Sequence, residues 1–323
     1  MKTPKVKSRR MEHLRVLSLI CLFTLALISC KNEKKEDQKV EEIVETDPRI
    51  TIKTVSMDFQ MPDTITSGWN TFLYLNESPQ THFFAIEKYP EGITLDSIKL
   101  QVLPYFDSGM KLINEGKSEE GFAEFGHLPS WFGGMQVLGG SGLLSPGHHS
   151  ETTLKLEPGV YFIECYVKMS NGMFHSSMGM LRDFVVSDSP SGNKFPLEDV
   201  SIDISSLEGI VINDSISSGE QIFSVFFKDQ IVHENFSGHD VNLVKLDEGA
   251  NLVELENWMN WADPKGLIEP APRGMVFLGG VNNMPAGNKG FFKAELVPGN
   301  YALVAEVPGA LDKNMLKTFS IGD

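Results

Sequence analysis

The chain has 323 residues, a formal net charge of −15 and three cysteines. Its hydrophobic content of 41% and aromatic content of 10% are enough for packed cores, and the length corresponds to about two domains. The acidic balance argues against a nucleic-acid-binding protein, because neutralising phosphates requires clustered Lys and Arg. Three cysteines are too few for a disulfide scaffold or a structural zinc site.

The N-terminus has the features of a secretory signal, which we predict over residues 1–29. A basic stretch up to Arg15 precedes the uncharged run Val16–Ile28, which is shorter than the ~20 residues that a membrane-spanning helix needs. The run leads into Leu27-Ile28-Ser29-Cys30, which resembles the bacterial lipobox, whose cysteine carries the lipid. This resemblance implies a lipid anchor on Cys30.

Residues 30–49 are charged and almost free of apolar side chains, which predicts an extended tether. A charged run directly after the acylated cysteine is similar to the surface-export signal of some Gram-negative lipoproteins. We therefore expect a lipid-anchored protein of the bacterial outer membrane, on the cell surface or in the periplasm.

The remaining chain is an internal repeat, because five blocks recur in the same order. The matched blocks are Ile65–Gly68 with Ile216–Gly219, His82–Gly92 with His239–Gly249, Gly134–Gly140 with Gly274–Gly280, Leu156–Tyr161 with Leu296–Tyr301, and Met180–Phe184 with Met315–Phe319. We predict a first domain over 50–187, a Ser/Pro/Gly-rich linker over 188–202 and a second domain over 203–323.

Both copies have the pattern of an all-β domain. Thr71–Leu75, Phe83–Ile86 and Val160–Lys168 are β-branched or aromatic runs bounded by turn residues. Asp107–Phe125 and, in the second copy, Asn251–Ala262 have helical spacing of apolar residues. Short strands with one helical insertion in each copy indicate two β-sandwiches.

One group of residues at the end of the first copy has metal-ligand chemistry. After Pro158-Gly-Val-Tyr161 the chain contains Cys165, His175 and Gly179-Met180, an order that resembles the cupredoxins, the blue-copper proteins such as plastocyanin and azurin. The resemblance implies tandem cupredoxin-like Greek-key sandwiches and, with His82 after an Asn/Ser-containing turn, the copper ligand set His82, Cys165, His175 and Met180. Two imidazoles, a thiolate and a weak axial thioether are the ligands of a mononuclear blue-copper site.

The ten-residue spacing from Cys165 to His175 is longer than in well-known cupredoxins, and it leaves two arrangements open. Ser170-Asn-Gly-Met173 contains a strong hairpin signal. If the hairpin stays paired throughout, Lys168 faces His175 and the thiol lies far from the imidazole. If the hairpin projects beyond the site, Cys165 and His175 lie together at its base. Met178 is a rival to Met180 for the axial position.

The second copy lacks these ligands, since Ala305 aligns with Cys165 and Ala310 with His175, although His239 remains. We therefore expect one copper site and one degenerate copy. A free cysteine on a strand is also typical of a small buried hydrophobic residue, so purely structural roles for Cys165 and His82 stay open.

Other chemistry is less well supported. A binuclear copper centre needs two thiolates, and multicopper oxidases have histidines beside their cysteine, where this chain has Glu164 and Tyr166. A cysteine hydrolase needs an exposed thiol beside an oriented imidazole, and Cys165 lies within a strand pattern. The adjacent pair His148-His149 is typical of a solvated loop. We predict no catalytic residue and no enzyme.

The sequence thus predicts a lipoprotein with a copper site for electron transfer or copper handling, whose partners are the membrane and a redox or copper-donor protein. The alternative is a metal-free binding or adhesion module that uses the loops Phe132–Ser150 and Trp258–Gly280.

Overall fold

Fifteen β-strands, five α-helices and three short 3₁₀-helices make up the regular structure of residues 47–322, the part of the chain that the computed structural model describes. The predicted signal peptide, Cys30 and the tether up to residue 46 lie outside the described residues. None of the described helices is both long and apolar enough to cross a membrane.

The first copy contains seven strands and four helices. They are β1 Ile50–Thr54, β2 Thr64–Asn76, β3 Ala85–Lys88, α1 Leu95–Gln101, α2 Leu103–Asn114, α3 Ser118–Glu124, β4 Gln136–Gly140, β5 His149–Leu156, β6 Gly159–Glu164, α4 His175–Met178 and β7 Leu181–Pro190. Side chains of β2 alternate between buried and more exposed positions, as expected for a strand with one face on the core.

The helical insertion of the first copy is larger than the sequence predicts. The predicted helices within 107–125 are confirmed as part of α2 and as α3, whereas α1 was not predicted. Helix α1 buries only Ile98, so it has no hydrophobic period, and it begins with a capping box between Thr94 and Ser97.

The second copy contains eight strands and one helix. They are β8 Val200–Ser205, β9 Gly209–Ile212, β10 Gly219–Phe227, β11 Val241–Leu246, α5 Leu252–Met259, β12 Met275–Val281, β13 Lys289–Leu296, β14 Gly299–Val304 and β15 Leu316–Ile321. Helix α5 confirms the helix predicted within 251–262.

The strand pairing of the first copy recurs in the second. Strand β1 pairs parallel with β2, which pairs antiparallel with β5, and the series β4, β3, β6, β7 is hydrogen-bonded in that order. The corresponding pairs are β8 with β10 and β10 with β13, and the corresponding series is β12, β11, β14, β15. The chain is mostly β-sheet with a few short helices, which confirms the predicted all-β class.

The repeated Gly-Gly blocks have a steric cause. Gly140 and Gly280 have φ angles of 149° and 147°, a region that favours glycine. A Cβ atom at either position would overlap the backbone carbonyl of Phe84 or Val241, respectively. Each glycine therefore permits close approach of a neighbouring strand at the same place in its copy.

The two copies are joined by backbone pairing. Strand β5 pairs antiparallel with β13, with Thr153 opposite Phe291. The loop after β4 also bonds strand β12, because the Gly279 N–H donates to the Leu143 carbonyl at 2.8 Å. All described residues consequently belong to one compact unit.

Candidate metal centre

Strand β6 positions Cys165. It starts from the Pro158-Gly-Val-Tyr161 turn, where the Tyr161 hydroxyl donates to the Glu157 carbonyl at 2.7 Å, a tyrosine corner. The strand ends at Glu164, and the N–H of Cys165 then donates to the Met180 carbonyl at 3.1 Å. The thiol is completely buried.

The loop after β2 positions His82. The Asn76 side-chain amide donates to the carbonyls of Gln80 and Leu144 at 2.7 and 2.8 Å, which fixes the turn. His82 and Leu144 then exchange two backbone hydrogen bonds of 3.1 and 2.7 Å. His82 is completely buried beside the start of β3.

The hairpin between Cys165 and His175 projects beyond the site, which decides between the two predicted arrangements. Its tip closes through Met169 and Met173, whose backbone hydrogen bond is 2.8 Å. Lys168 lies opposite Phe174, not opposite His175, so the paired arrangement expected from the Asn-Gly signal is wrong by one residue. The His175 N–H donates to the Val167 carbonyl at 2.8 Å, and His175 lies at the hairpin base.

Three ligand atoms converge at this point. The Nδ1 atoms of His82 and His175 are 3.0 Å apart, and each is 3.7 Å from the Cys165 Sγ. The point equidistant from the three atoms lies about 2 Å from each, close to the bond lengths of metal ions with imidazole nitrogen and thiolate sulfur. This is also the one group of three His, Cys, Asp or Glu ligand atoms within 4.8 Å that residues 47–322 contain.

Burial sets the protonation of the three groups. Burial lowers the pKa of His82 to about 3, with a smaller effect from His175, and it lowers the pKa of His175 to about 4. Both imidazoles are therefore neutral at neutral pH and each has a lone pair for a metal. Burial raises the pKa of Cys165 to about 12, so the thiol must release a proton when it binds a metal.

The two candidate axial methionines lie in different environments. Met180 is completely buried, and its N–H donates to the His175 carbonyl at 2.9 Å while its carbonyl accepts from Cys165. Met178 is 45% exposed. Burial and backbone connections to two ligands therefore favour Met180 over Met178.

The second copy has the same backbone frame without the ligands. The Ala305 N–H donates to the Met315 carbonyl at 2.9 Å, and the Met315 N–H donates to the Ala310 carbonyl at 2.7 Å. His239 instead has a partner that sequence reasoning missed, since its Nε2 lies 2.9 Å from the Nε2 of His233. The frame that holds the site thus does not depend on the cysteine or on the second histidine.

The remaining sequence candidates are not brought together. His148 and His149 are exposed, and the Nδ1 of His148 lies 3.0 Å from the Pro146 carbonyl. A completely buried thiol with a raised pKa is a poor nucleophile, which argues against a cysteine hydrolase. The His82–Cys165–His175 group fits a trigonal copper centre with a weak axial thioether.

No family model matches the chain, and no curated protein matches its sequence. The solved structures with some similarity include auracyanin from Roseiflexus castenholzii, which is 19% identical, with 44% of this chain and 98% of auracyanin covered and a TM-score of 0.26. Auracyanin A, a blue copper protein from Chloroflexus aurantiacus, is 16% identical over 43% of this chain and 98% of its own, with a TM-score of 0.26. Copper nitrite reductase from Nitrosomonas europaea is 13% identical over 84% and 93% of the two chains, with a TM-score of 0.22. Because these scores are low, the copper assignment depends on the geometry of the three side chains.

Sequence reasoning missed a second set of buried ionisable groups close to this centre. Glu87, Glu164, Lys168, Asp240 and Glu306 are all buried or nearly so. The position of Glu164 and Lys168 on either side of Cys165 was a visible signal, but their partners lie far away in the chain.

Proposed function

We propose that the protein is a membrane-anchored lipoprotein that binds one copper ion through His82, Cys165 and His175, with Met180 as the axial ligand. The convergence of two Nδ1 atoms and one Sγ at mutual distances of 3.0 to 3.7 Å carries this proposal. Copper in such a ligand set supplies a one-electron couple. The anchor is the lipid on Cys30, and the location is the outer membrane, facing the cell surface or the periplasm.

Of the two uses of such a site, electron transfer is favoured over copper handling. All three ligand side chains are completely buried, and backbone hydrogen bonds fix each of them. A protein that passes copper on needs ligands that another protein can reach, whereas an electron-transfer site needs a ligand geometry that changes little. The partner we propose is accordingly a redox protein, with a copper-donor protein required only for loading.

The alternative hypothesis, a metal-free binding module, places the ligand contacts in the loops over 132–150 and 258–280. In the structure, parts of these loops bind each other: the Ser145 N–H donates to the Phe277 carbonyl at 3.0 Å, and the Phe277 N–H donates to the Ser145 hydroxyl at 2.9 Å. These contacts favour a role for the loops in joining the two copies.

The test is a titration of the detergent-solubilised full-length chain with Cu(II), followed by visible absorption. We expect a thiolate-to-copper charge-transfer band that saturates at one equivalent and a rise in melting temperature, since an ion that binds only the folded chain stabilises it. Cys165→Ser should abolish the band, and His239→Ala, in the copy without ligands, should leave it intact. Absence of a band together with an unchanged melting temperature would show the proposal to be wrong.

A further inference from the structure

A cavity lies between the helical insertion of the first copy and the second copy. Its volume is about 130 Å³, comparable to the ~150 Å³ of an engineered cavity that binds benzene, so it has room for one aromatic ring. We call it the acid-lined pocket. Its wall contains the aromatic rings of Phe106 and Trp261, and it contains four carboxyl groups, those of Glu87, Glu164, Asp240 and Glu306.

The carboxyl groups form two pairs, one from each copy. Glu87 and Glu164 lie at neighbouring positions of the strands β3 and β6, and the Oε2 of Glu87 accepts from the Tyr89 hydroxyl at 2.9 Å. In the second pair, the Glu306 N–H donates to the Asp240 carboxylate at 2.6 Å. The Tyr166 hydroxyl donates to the Glu306 Oε2 at 2.9 Å and so connects the copies.

Two polar atoms in this wall have no hydrogen-bond partner among the described residues. They are the Oε1 of Glu306 and the hydroxyl oxygen of Ser237, and both residues line the pocket. Glu306 is 6% exposed and Ser237 is 7% exposed. A buried unpartnered oxygen costs about 1–3 kcal/mol. The ionised Glu306 can only accept, so its Oε1 points to a ligand that donates hydrogen bonds, and the Ser237 hydroxyl can accept from the same ligand.

The residues of the wall determine whether the ligand is a cation or an anion. No Lys or Arg is among the residues that line the pocket in the part of the chain described here, and the whole chain has a net charge of −15. A bound cation favours ionisation of the lining carboxyl groups, whereas an anion finds no basic side chain in this wall to pair with. Aromatic faces such as that of Trp261 add attraction for an organic cation.

We propose that the acid-lined pocket binds a small organic cation, an ammonium group on an aromatic or apolar body, with the ammonium donating to Glu306 Oε1 and Ser237 Oγ. The apolar body packs on Phe106 and Trp261. Burial raises the pKa of Glu306 well above its ordinary range and that of Asp240 to about 7, and a bound cation favours their ionised forms.

The pocket shares a wall with the metal centre. Glu164 and Tyr166, on either side of Cys165, line it, and so do Phe174 and Ser176, on either side of His175. A ligand in the pocket therefore lies within one residue of two of the three metal-ligating positions. This binding site goes beyond the copper proposal and does not require a bound metal.

The test uses calorimetric titration of the metal-free full-length chain in detergent with benzylammonium. Benzyl alcohol and benzoate serve as neutral and anionic probes with the same ring. We expect benzylammonium to bind at one site at least tenfold more tightly than benzyl alcohol, and benzoate not to bind. Glu306→Gln, which keeps the shape of the side chain, should weaken the binding of benzylammonium at least tenfold.

The matched control is Glu295→Gln, the same change at an exposed position away from the pocket, which should leave the affinity unchanged. Ser237→Ala is the second variant in case Glu306→Gln does not fold, and it should weaken the binding of benzylammonium about threefold or more. Equal affinity for the three probes, no binding of benzylammonium at millimolar concentration, or equal loss in the control and the Glu306 variant would overturn the proposal. Because no copper is added, failure here leaves the copper proposal untouched.

Discussion

Replacing Lys168 by Met tests whether a buried lysine holds the hairpin of the metal centre against the second copy. Lys168 is completely buried, and its Nζ donates to the carbonyls of Trp261 and Asp263 at 2.7 and 2.8 Å. It also lies 3.5 Å from the Met110 sulfur in α2. Methionine has a similar length and no donor, so the variant keeps most of the packing and removes both hydrogen bonds.

The expected loss of stability follows from the two carbonyls. Each buried acceptor left without a donor costs about 1–3 kcal/mol, which sets an upper range of about 2–6 kcal/mol. Against this, the variant no longer has to bury an amine, and replacing a buried charge by an apolar group recovers part of the loss. We expect Lys168→Met to lower the free energy of unfolding by about 2 kcal/mol at pH 7, consistent with these opposing effects.

The pH dependence gives the sharper test. Burial lowers the pKa of Lys168 from 10.5 to about 7, with nearby carboxyl groups opposing the shift. Above pH 7 the unfolded chain still holds the proton that the folded chain has released, so this group makes folding more favourable as pH rises. The slope is at most about 1.4 kcal/mol per pH unit. The stability difference between wild type and variant should therefore grow between pH 7 and pH 9.

Urea unfolding at pH 7, 8 and 9 measures both effects. The matched control is Lys111→Met, which makes the same change at an exposed position in α2 and should alter stability by less than about 0.5 kcal/mol at every pH. If the wild type and the Lys168 variant have parallel pH profiles, or if the variant is the more stable at pH 9, the account of Lys168 as a buried, titrating donor is wrong.

Three further outcomes are expected. Met180→Leu should keep the charge-transfer band and raise the reduction potential measured by redox titration, because it removes the weak axial ligand, while Met178→Leu should change neither. Asp240→Asn should remove part of the stability that the wild type loses as pH rises. Burial raises the pKa of Asp240 to about 7, so this carboxyl group ionises at a lower pH in the unfolded chain than in the folded chain. The stability that protonated Asp240 contributes is complete below pH ~4 and is lost towards pH 7. Denaturant unfolding at pH 4.5 and pH 7 should accordingly show a smaller decrease in the variant than in the wild type. Tyr161→Phe and Tyr301→Phe should each cost about 1 kcal/mol in the same assay, and a loss confined to one of them would contradict equivalent tyrosine corners.

The repeat and the order of Cys165, His175 and Met180 were visible in the sequence because they are local. A Pro-Gly-x-Tyr turn fixes its own geometry, and the tyrosine hydroxyls of both copies bond the carbonyl four residues upstream, at 2.7 and 2.8 Å. Strand signals and the helix of the second copy also depend on nearby residues. Sequence patterning therefore predicted the all-β class and where the candidate ligands lie in the chain.

The contacts between copies could not be predicted, because their partners are far apart in the chain. Tyr166 bonds Glu306 across 140 positions, and Lys168 bonds Trp261 across 93. The hairpin register failed for a similar reason. The Lys168 N–H donates to the Leu267 carbonyl of the second copy at 2.6 Å, a constraint that the Asn-Gly turn signal does not contain.

The second copy supplies an internal control for the role of the three ligands. Ala305 and Ala310 are completely buried within the same backbone hydrogen bonds that hold Cys165 and His175, so this part of the fold can be built from alanine. The first copy instead buries two imidazoles whose Nε2 atoms have no partner among the described residues, at a cost of about 1–3 kcal/mol for each such group. Side chains that cost stability and that the frame does not need are expected at functional sites. The comparison of the two copies therefore favours metal binding over a purely structural role for Cys165 and His175.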